Sequence, residues 1–177
     1  MEKMMLVVFL GNPGSQYKKT RHNAGFMLAD EIEFLKNAVW NEKFSGQYAK
    51  VELSGVSHHF LKPMTFMNVS GKSVAAAIAF FKIKPVEVLV VHDDIETEFE
   101  TVSIKKGGGL AGHNGLKSIA NLIGSNDFLR LRIGVGRPSK GDVSSFVLGK
   151  FTTEEEIVLP LIFKKGEELL KEVLFSL

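Results

Sequence analysis

The apolar positions of the chain fall into short runs that switch between strand and helix periods. Met4 to Leu10 is a continuous apolar run, too short for a helix and stopped by Gly11-Asn12-Pro13-Gly14, which predicts a buried strand. Ala24, Met27, Leu28, Ile32 and Leu35 then recur at helical spacing and predict a helix reaching about Val39. Gly46 to Leu53 and Ser57 to Leu61 read as a hairpin turning at Ser54-Gly55. Ser70 to Lys82 is alanine-rich and predicts a helix, which Pro85 separates from a second buried strand, Glu87 to His92. A short extended piece, Thr101 to Lys105, precedes a glycine-rich stretch, and Leu116 to Ile123 predicts a helix with Gly124 as its C-terminal cap. In Arg130 to Gly136 the residues Leu131, Ile133 and Val135 share one face and the two arginines the other. Thr153 with Glu156 forms a capping-box pattern for a last helix that Pro160 and Gly166 should bend or weaken. This alternation predicts an α/β fold, a single domain over residues 1–177 with a mixed, largely twisted central sheet flanked by helices.

Composition narrows the chemistry. The 177 residues are 45% apolar and 24% charged, ordinary for a soluble globular domain. With no cysteine, disulfides, thiolate nucleophiles and cysteine-ligated metals are excluded. The N-terminal apolar run ends too early for a signal or membrane segment, so a cytoplasmic location without membrane partners is expected. Net charge is only +2, but it is unevenly spread. Pro85 to Thr101 carries six acidic residues and no Lys or Arg, whereas Val102 to Lys150 carries eight Lys or Arg against two Asp. Folded onto one face, the second segment would neutralise phosphates of a nucleic acid; spread around the domain, it would only be solvated.

The stretch Lys105 to Leu116, KKGGGLAGHNGL, holds five glycines between Gly107 and Gly115. Such a cluster is expected where φ is positive or where a ligand approaches bare backbone. Gly107, Gly109 and Gly112 fit a dinucleotide-binding spacing, but the acidic residue expected about twenty positions later is missing. Gly71-Lys72-Ser73 ends like a P-loop, yet Phe66 stands where its first glycine is needed. No Gly-x-Ser-x-Gly elbow occurs. Ligands of open α/β sheets sit beyond the carboxyl ends of parallel strands, which selects the loops at Asn12 and Asp93. Among the histidines, His58 and His59 are adjacent in a strand and point to opposite faces, a poor metal pair. His92 ends a buried strand and is expected to be structural. His22 and His113 each lie in a loop, followed directly by an asparagine, and combine a proton acceptor with an amide.

Taken in order, Gly11-Asn12-Pro13-Gly14 with Tyr17, Thr20 to Gly25 (TRHNAG), Lys62 to Gly71 (KPMTFMNVSG), His92-Asp93-Asp94, Lys105 with Gly107 to Leu116, and Arg130 to Pro138 (RLRIGVGRP) resemble bacterial peptidyl-tRNA hydrolases over most of the chain. The resemblance implies hydrolysis of the ester between a peptide and tRNA, by a monomer acting on the 3′ end and acceptor stem of peptidyl-tRNA without metal or cofactor. It implies His22 as the general base that activates water and Asp93 as the group that orients it. Asn12 and Asn68 would hold the peptide and the attacking water, and Asn114 the substrate or tetrahedral intermediate. Tyr17, Met67 and His113 would line the channel for the tRNA 3′ end, and Lys105 and Arg132 would clamp its 5′ phosphate.

The chain departs from the family pattern at Ile95 to Glu100 and at Leu110 and Ala111, beside the glycine stretch. From Phe151 onward it matches only as a helical tail. Two rival readings are a non-catalytic RNA-binding module, which would not need a His-Asp pair among amides, and a dinucleotide-dependent enzyme, which would need tight NAD binding.

Overall fold

The computed structural model describes residues 3–175. The central run does form a strand, β1 (Leu6–Phe9), and it lies in the middle of one seven-stranded sheet. The other strands are β2 (Asn41–Lys43), β3 (Gly46–Leu53), β4 (Val56–Pro63), β5 (Val88–Asp94), β6 (Val102–Lys106) and β7 (Leu129–Gly134), in the spatial order β2-β3-β4-β1-β5-β7-β6. β1 runs parallel to β4 and β5, and β5 parallel to β7, while both edges are antiparallel, so the sheet is mixed. The hairpin turns at Ser54 (φ 50°) and Gly55 (φ 83°), two left-handed residues that match the strand twist.

Alternation along β1 divides the core. Val7 and Phe9 face one layer with α1 (Ala24–Glu31) and α5 (Thr153–Phe175), whereas Leu6, Val8 and Leu10 face another with α2 (Ser70–Phe81) and α3 (Asn114–Ile123). β5 splits in the same way. This is why both strands read as unbroken apolar runs: each is covered on two faces.

Several expectations need correction. The first helix stops at Glu31 rather than near Val39. Ile32 turns extended (ψ 119°), and a 3-10 turn over Glu33–Leu35 follows, placing Ile32 and Leu35 in the core three residues apart, a spacing that helix and 3-10 turn share. The third helix begins two residues early, at Asn114, with His113 as its cap. The last helix is neither broken nor ended by Pro160 and Gly166. Leu159, Ile162, Phe163, Gly166, Leu170 and Leu174 form one buried stripe, and Pro160 lies on the exposed side. Its capping box is Thr152 with Glu155, one residue before the expected pair: each backbone N–H donates to the other's side chain, at 2.9 and 3.1 Å. The short edge strand β2 and the helix α4 (Val143–Val147) carry too little periodicity to have been foreseen.

Candidate active site

The cleft opens where the sheet's parallel strands end and two helices begin. β1 delivers Asn12, β5 delivers Asp93, and the N-termini of α2 and α3 bring Asn68 and Asn114. Both helices point their positive ends at the cavity, whose volume is about 380 Å³. His22 comes from the 3-10 turn Arg21–Asn23 that leads into α1. That turn is pressed onto the sheet because α1 starts with Gly25, where a Cβ would lie 2.6 Å from the Leu10 carbonyl oxygen and 2.7 Å from that of Val91.

Asp93 is the hub. Its carboxylate is 1% exposed and meets His22 Nδ1 at 2.9 and 3.0 Å and His113 Nε2 at 2.9 Å. The two rings stand 4.8 Å apart. His113 Nδ1 accepts the backbone N–H groups of Gly115 and Leu116, so its proton must be on Nε2, donated to Asp93. Asp93 likewise takes Nδ1–H of His22, which leaves His22 Nε2 as the atom with a free lone pair. Burial would raise the Asp93 pKa, but the two imidazoles hold it well below the usual carboxylate range. Burial would lower that of His22, yet the Asp93 charge and hydrogen bond outweigh it, and the net shift is upward from 6.5.

His22, Asp93 and His113 also bring donor atoms within 4.8 Å of one another, a spacing that would suit a metal. Each facing nitrogen already shares a proton with the carboxylate, which satisfies Asp93 without an ion.

Asn12 is held on three sides. Its N–H donates to Asn23 Oδ1 (2.9 Å), its carbonyl accepts from Asn23 Nδ2 (3.0 Å), and its Oδ1 accepts the Met67 N–H (2.7 Å). The Nδ2 amide, borne by a residue lining the cavity, has no partner among the described residues and remains a donor. Met67 and Asn68 line the same cavity. Tyr17 does not; it stands edge-on to Phe66, which does. Lys105 and Arg132 line a neighbouring cavity of about 250 Å³, separated from the first by His92, Asp94 and Ala111.

His113 has a different place from the one expected. It is both the N-cap of α3 and the second imidazole on Asp93. Among the glycines, Gly107, Gly108 and Gly112 do have positive φ (61°, 91°, 70°), while Gly115 serves close approach, since a Cβ there would be 2.6 Å from Met67 Sδ. His92 is structural as expected, donating from Nδ1 to the Asp93 carbonyl at 2.7 Å.

Three supporting parts escaped the sequence. Arg130 is 1% exposed and donates to the carbonyls of Gly108, Gly109 and Asn126, pinning the glycine segment. Arg21 pairs with Glu155 and donates to Phe146 O, tying the base turn to α4 and α5. α4 itself walls the cavity with Val143 and Val147. The one available signal was Asp142, which caps α4 by accepting the Ser145 N–H at 2.7 Å.

Comparison with known proteins gives one answer. The family model described as peptidyl-tRNA hydrolase matches residues 6–176. The peptidyl-tRNA hydrolase of Pelobacter propionicus is 45% identical over 172 residues, 97% of this chain and 89% of that protein. That of Sorangium cellulosum is 48% identical over 177 aligned residues, 96% of this chain and 78% of that protein. The crystal structure of peptidyl-tRNA hydrolase from Acinetobacter baumannii superposes with a TM-score of 0.90 at 37% identity, covering 98% of this chain and 90% of that one.

Proposed function

Since the chain belongs to the peptidyl-tRNA hydrolase family, we propose that it hydrolyses peptidyl-tRNA with His22 as general base and Asp93 as its orienting partner. The observation that carries this reading is the hydrogen bond from His22 Nδ1 to Asp93, which leaves Nε2 unprotonated at the cavity. In the reaction, Nε2 takes a proton from water as its oxygen attacks the ester carbon. Negative charge moves to the carbonyl oxygen, where the amides of Asn12, Asn68 or Asn114 and the positive helix ends stabilise it. The intermediate collapses by breaking the bond to the ribose oxygen, and the His22 imidazolium returns its proton to that leaving group. Asp93 stays ionised throughout and stabilises the imidazolium. No covalent enzyme intermediate is needed, because the ester is already activated.

The cavity rim assigns the rest of the substrate. The peptide and the tRNA 3′ end lie along Met67, Asn68, His113 and Asn114, with Tyr17 supporting Phe66 from behind. The acceptor stem lies over the adjoining cavity, its 5′ phosphate between Lys105 and Arg132. Release of N-acyl-amino acid from N-acyl-aminoacyl-tRNA measures the activity. His22→Ala is expected to lower turnover by about 10² to 10⁴ while tRNA affinity, read by filter binding, stays at the wild-type level. A wild-type protein that binds tRNA and never cleaves it would leave only an RNA-binding function.

A further inference from the structure

The second cavity contains more than the clamp requires. β5, β7 and β6 lie side by side, and their register places His92 beside Arg132, Arg132 beside Ser103, and Arg130 beside Lys105. The face shared by these alternate residues is polar, while Val91, Leu131 and Ile104 on the opposite face pack into the core. Within the cavity, three cations (Lys105, Arg130, Arg132) meet two carboxylates that are already engaged. Asp94 accepts the Glu96 N–H and the Thr97 hydroxyl, and Glu96 pairs with Arg137. Arg132 donates to Ser103 Oγ, and Lys105 has no ion-pair partner among the described residues. The cavity therefore favours an anion.

His92 forms part of the wall between this cavity and the catalytic one. Its side chain is almost wholly buried, at 3% exposure, and Nε2 has no hydrogen-bond partner among the described residues. A buried polar atom left unpaired is costly, and in a native structure it marks a place where something else binds. Nδ1 already donates to the Asp93 carbonyl, so Nε2 is an acceptor. The ring also meets that of His113 edge-on, with centroids 5.1 Å apart. One side chain thus touches the backbone of Asp93, the second imidazole on its carboxylate, and the anion cavity.

We propose that His92 is a positioning residue that reads a phosphate monoester held in the second cavity and passes its presence to the catalytic hub as a gain in kcat. This rests on the reading of Lys105 and Arg132 as the 5′-phosphate clamp, and adds to it. In the free protein burial and the nearby His113 hold the His92 pKa down, to about 4, so the ring is neutral and fixed by only one of its nitrogens. A phosphate monoester loses its second proton near pH 6, so its monoanion still carries a P–OH that can donate to Nε2. The ring is then held at both ends. Its Nδ1 bond fixes the Asp93 peptide, its edge fixes His113, and the carboxylate between them holds His22 closer to one geometry.

The experiment compares N-acyl-aminoacyl-tRNA with and without its 5′ phosphate. In wild type the phosphate is expected to lower KM and to raise kcat about tenfold, the size of one hydrogen bond to a charged group. His92→Asn keeps a donor at the Nδ1 position and deletes Nε2; in it the kcat ratio of the two substrates is expected to fall to about one, with the KM ratio retained. His92→Gln, which restores a polar atom at the Nε2 position, is expected to recover the kcat ratio in part. A kcat ratio that survives in His92→Asn overturns the proposal. So does a wild-type phosphate effect confined to KM, although the clamp then stands. Equal kcat and KM for both substrates in wild type removes the clamp as well. A measurement independent of variants is the His92 Nε2 resonance of the wild-type protein with a short RNA duplex. It is expected to move with a 5′-phosphorylated duplex and to stay with the 5′-hydroxyl duplex; no difference overturns the proposal.

Discussion

At the scale of single residues, one carboxylate does the work of two. Asp93 accepts from both His22 and His113, and neither imidazole can take the other's place: His113 has spent Nδ1 on capping α3, whereas His22 keeps Nε2 for a substrate. The sign of the resulting pH dependence follows. Catalysis needs neutral His22, and its pKa in the folded protein is raised above 6.5 by Asp93. The rate constant kcat/KM is therefore expected to be full at alkaline pH and to fall as pH drops through an inflection above 6.5. Asp93→Asn removes the charge but not the burial, so the inflection is expected to move below 6.5, together with a loss of activity of about 10² to 10⁴. A pH profile of kcat/KM for both proteins checks this; an unmoved inflection would mean that Asp93 does not set the basicity of His22.

Elements, not residues, decide how closely the site is assembled. α2 and α3 pack so that Gly71 faces α3 directly: its N–H accepts no neighbour but donates to Ser118 Oγ at 2.9 Å, and a methyl there would overlap the Ser118 carbonyl. Gly71→Ala is expected to destabilise the fold by about 1 to 3 kcal/mol through overpacking, seen as a lower urea midpoint. Because both helices carry site asparagines at their N-termini, KM is expected to rise in the same variant. This contact was invisible in the sequence, where Gly71 belonged to a failed P-loop pattern. Other elements were legible because their signals are local: the runs around Val7 and Val90, the Ser54-Gly55 turn, and the alanine-rich helix from Ser70. The helix after Ala24 was overextended because Ile32 and Leu35 satisfy either helical geometry, and only tertiary packing distinguishes them. At the site, His22 and Asp93 were legible through motif context, and they do meet. The double role of His113 was not, since no spacing reveals that residues 20 apart share a carboxylate. Nor was the burial of Arg130, which reads as a surface cation until the glycine carbonyls are seen around it.

On the scale of the whole molecule, the uneven charge seen along the chain resolves into a place. The acidic stretch after Pro85 is partly consumed internally, with Glu87 capping its own turn, Asp94 bonded to Thr97 and Glu96 paired with Arg137. The basic stretch instead leaves Lys105 exposed and Arg132 half-buried at the end of the sheet nearest the catalytic cavity. Arg130, its strand neighbour, is occupied with backbone carbonyls, so the two residues on either side of it along this face are the ones available to phosphate. Affinity for tRNA should then depend on salt through these two side chains. Each phosphate contact contributes about one unit to the slope of log K against log salt. Lys105→Ala and Arg132→Ala are each expected to weaken tRNA binding and to flatten that slope by about one unit, whereas Lys50→Ala on the hairpin strand β3 is expected to leave it at the wild-type value. Filter binding over a range of potassium chloride concentrations gives all four slopes. If Lys105→Ala and Arg132→Ala both retain the wild-type slope, the phosphates lie elsewhere, and the catalytic cavity would have to recognise the acceptor end without an electrostatic anchor beside it.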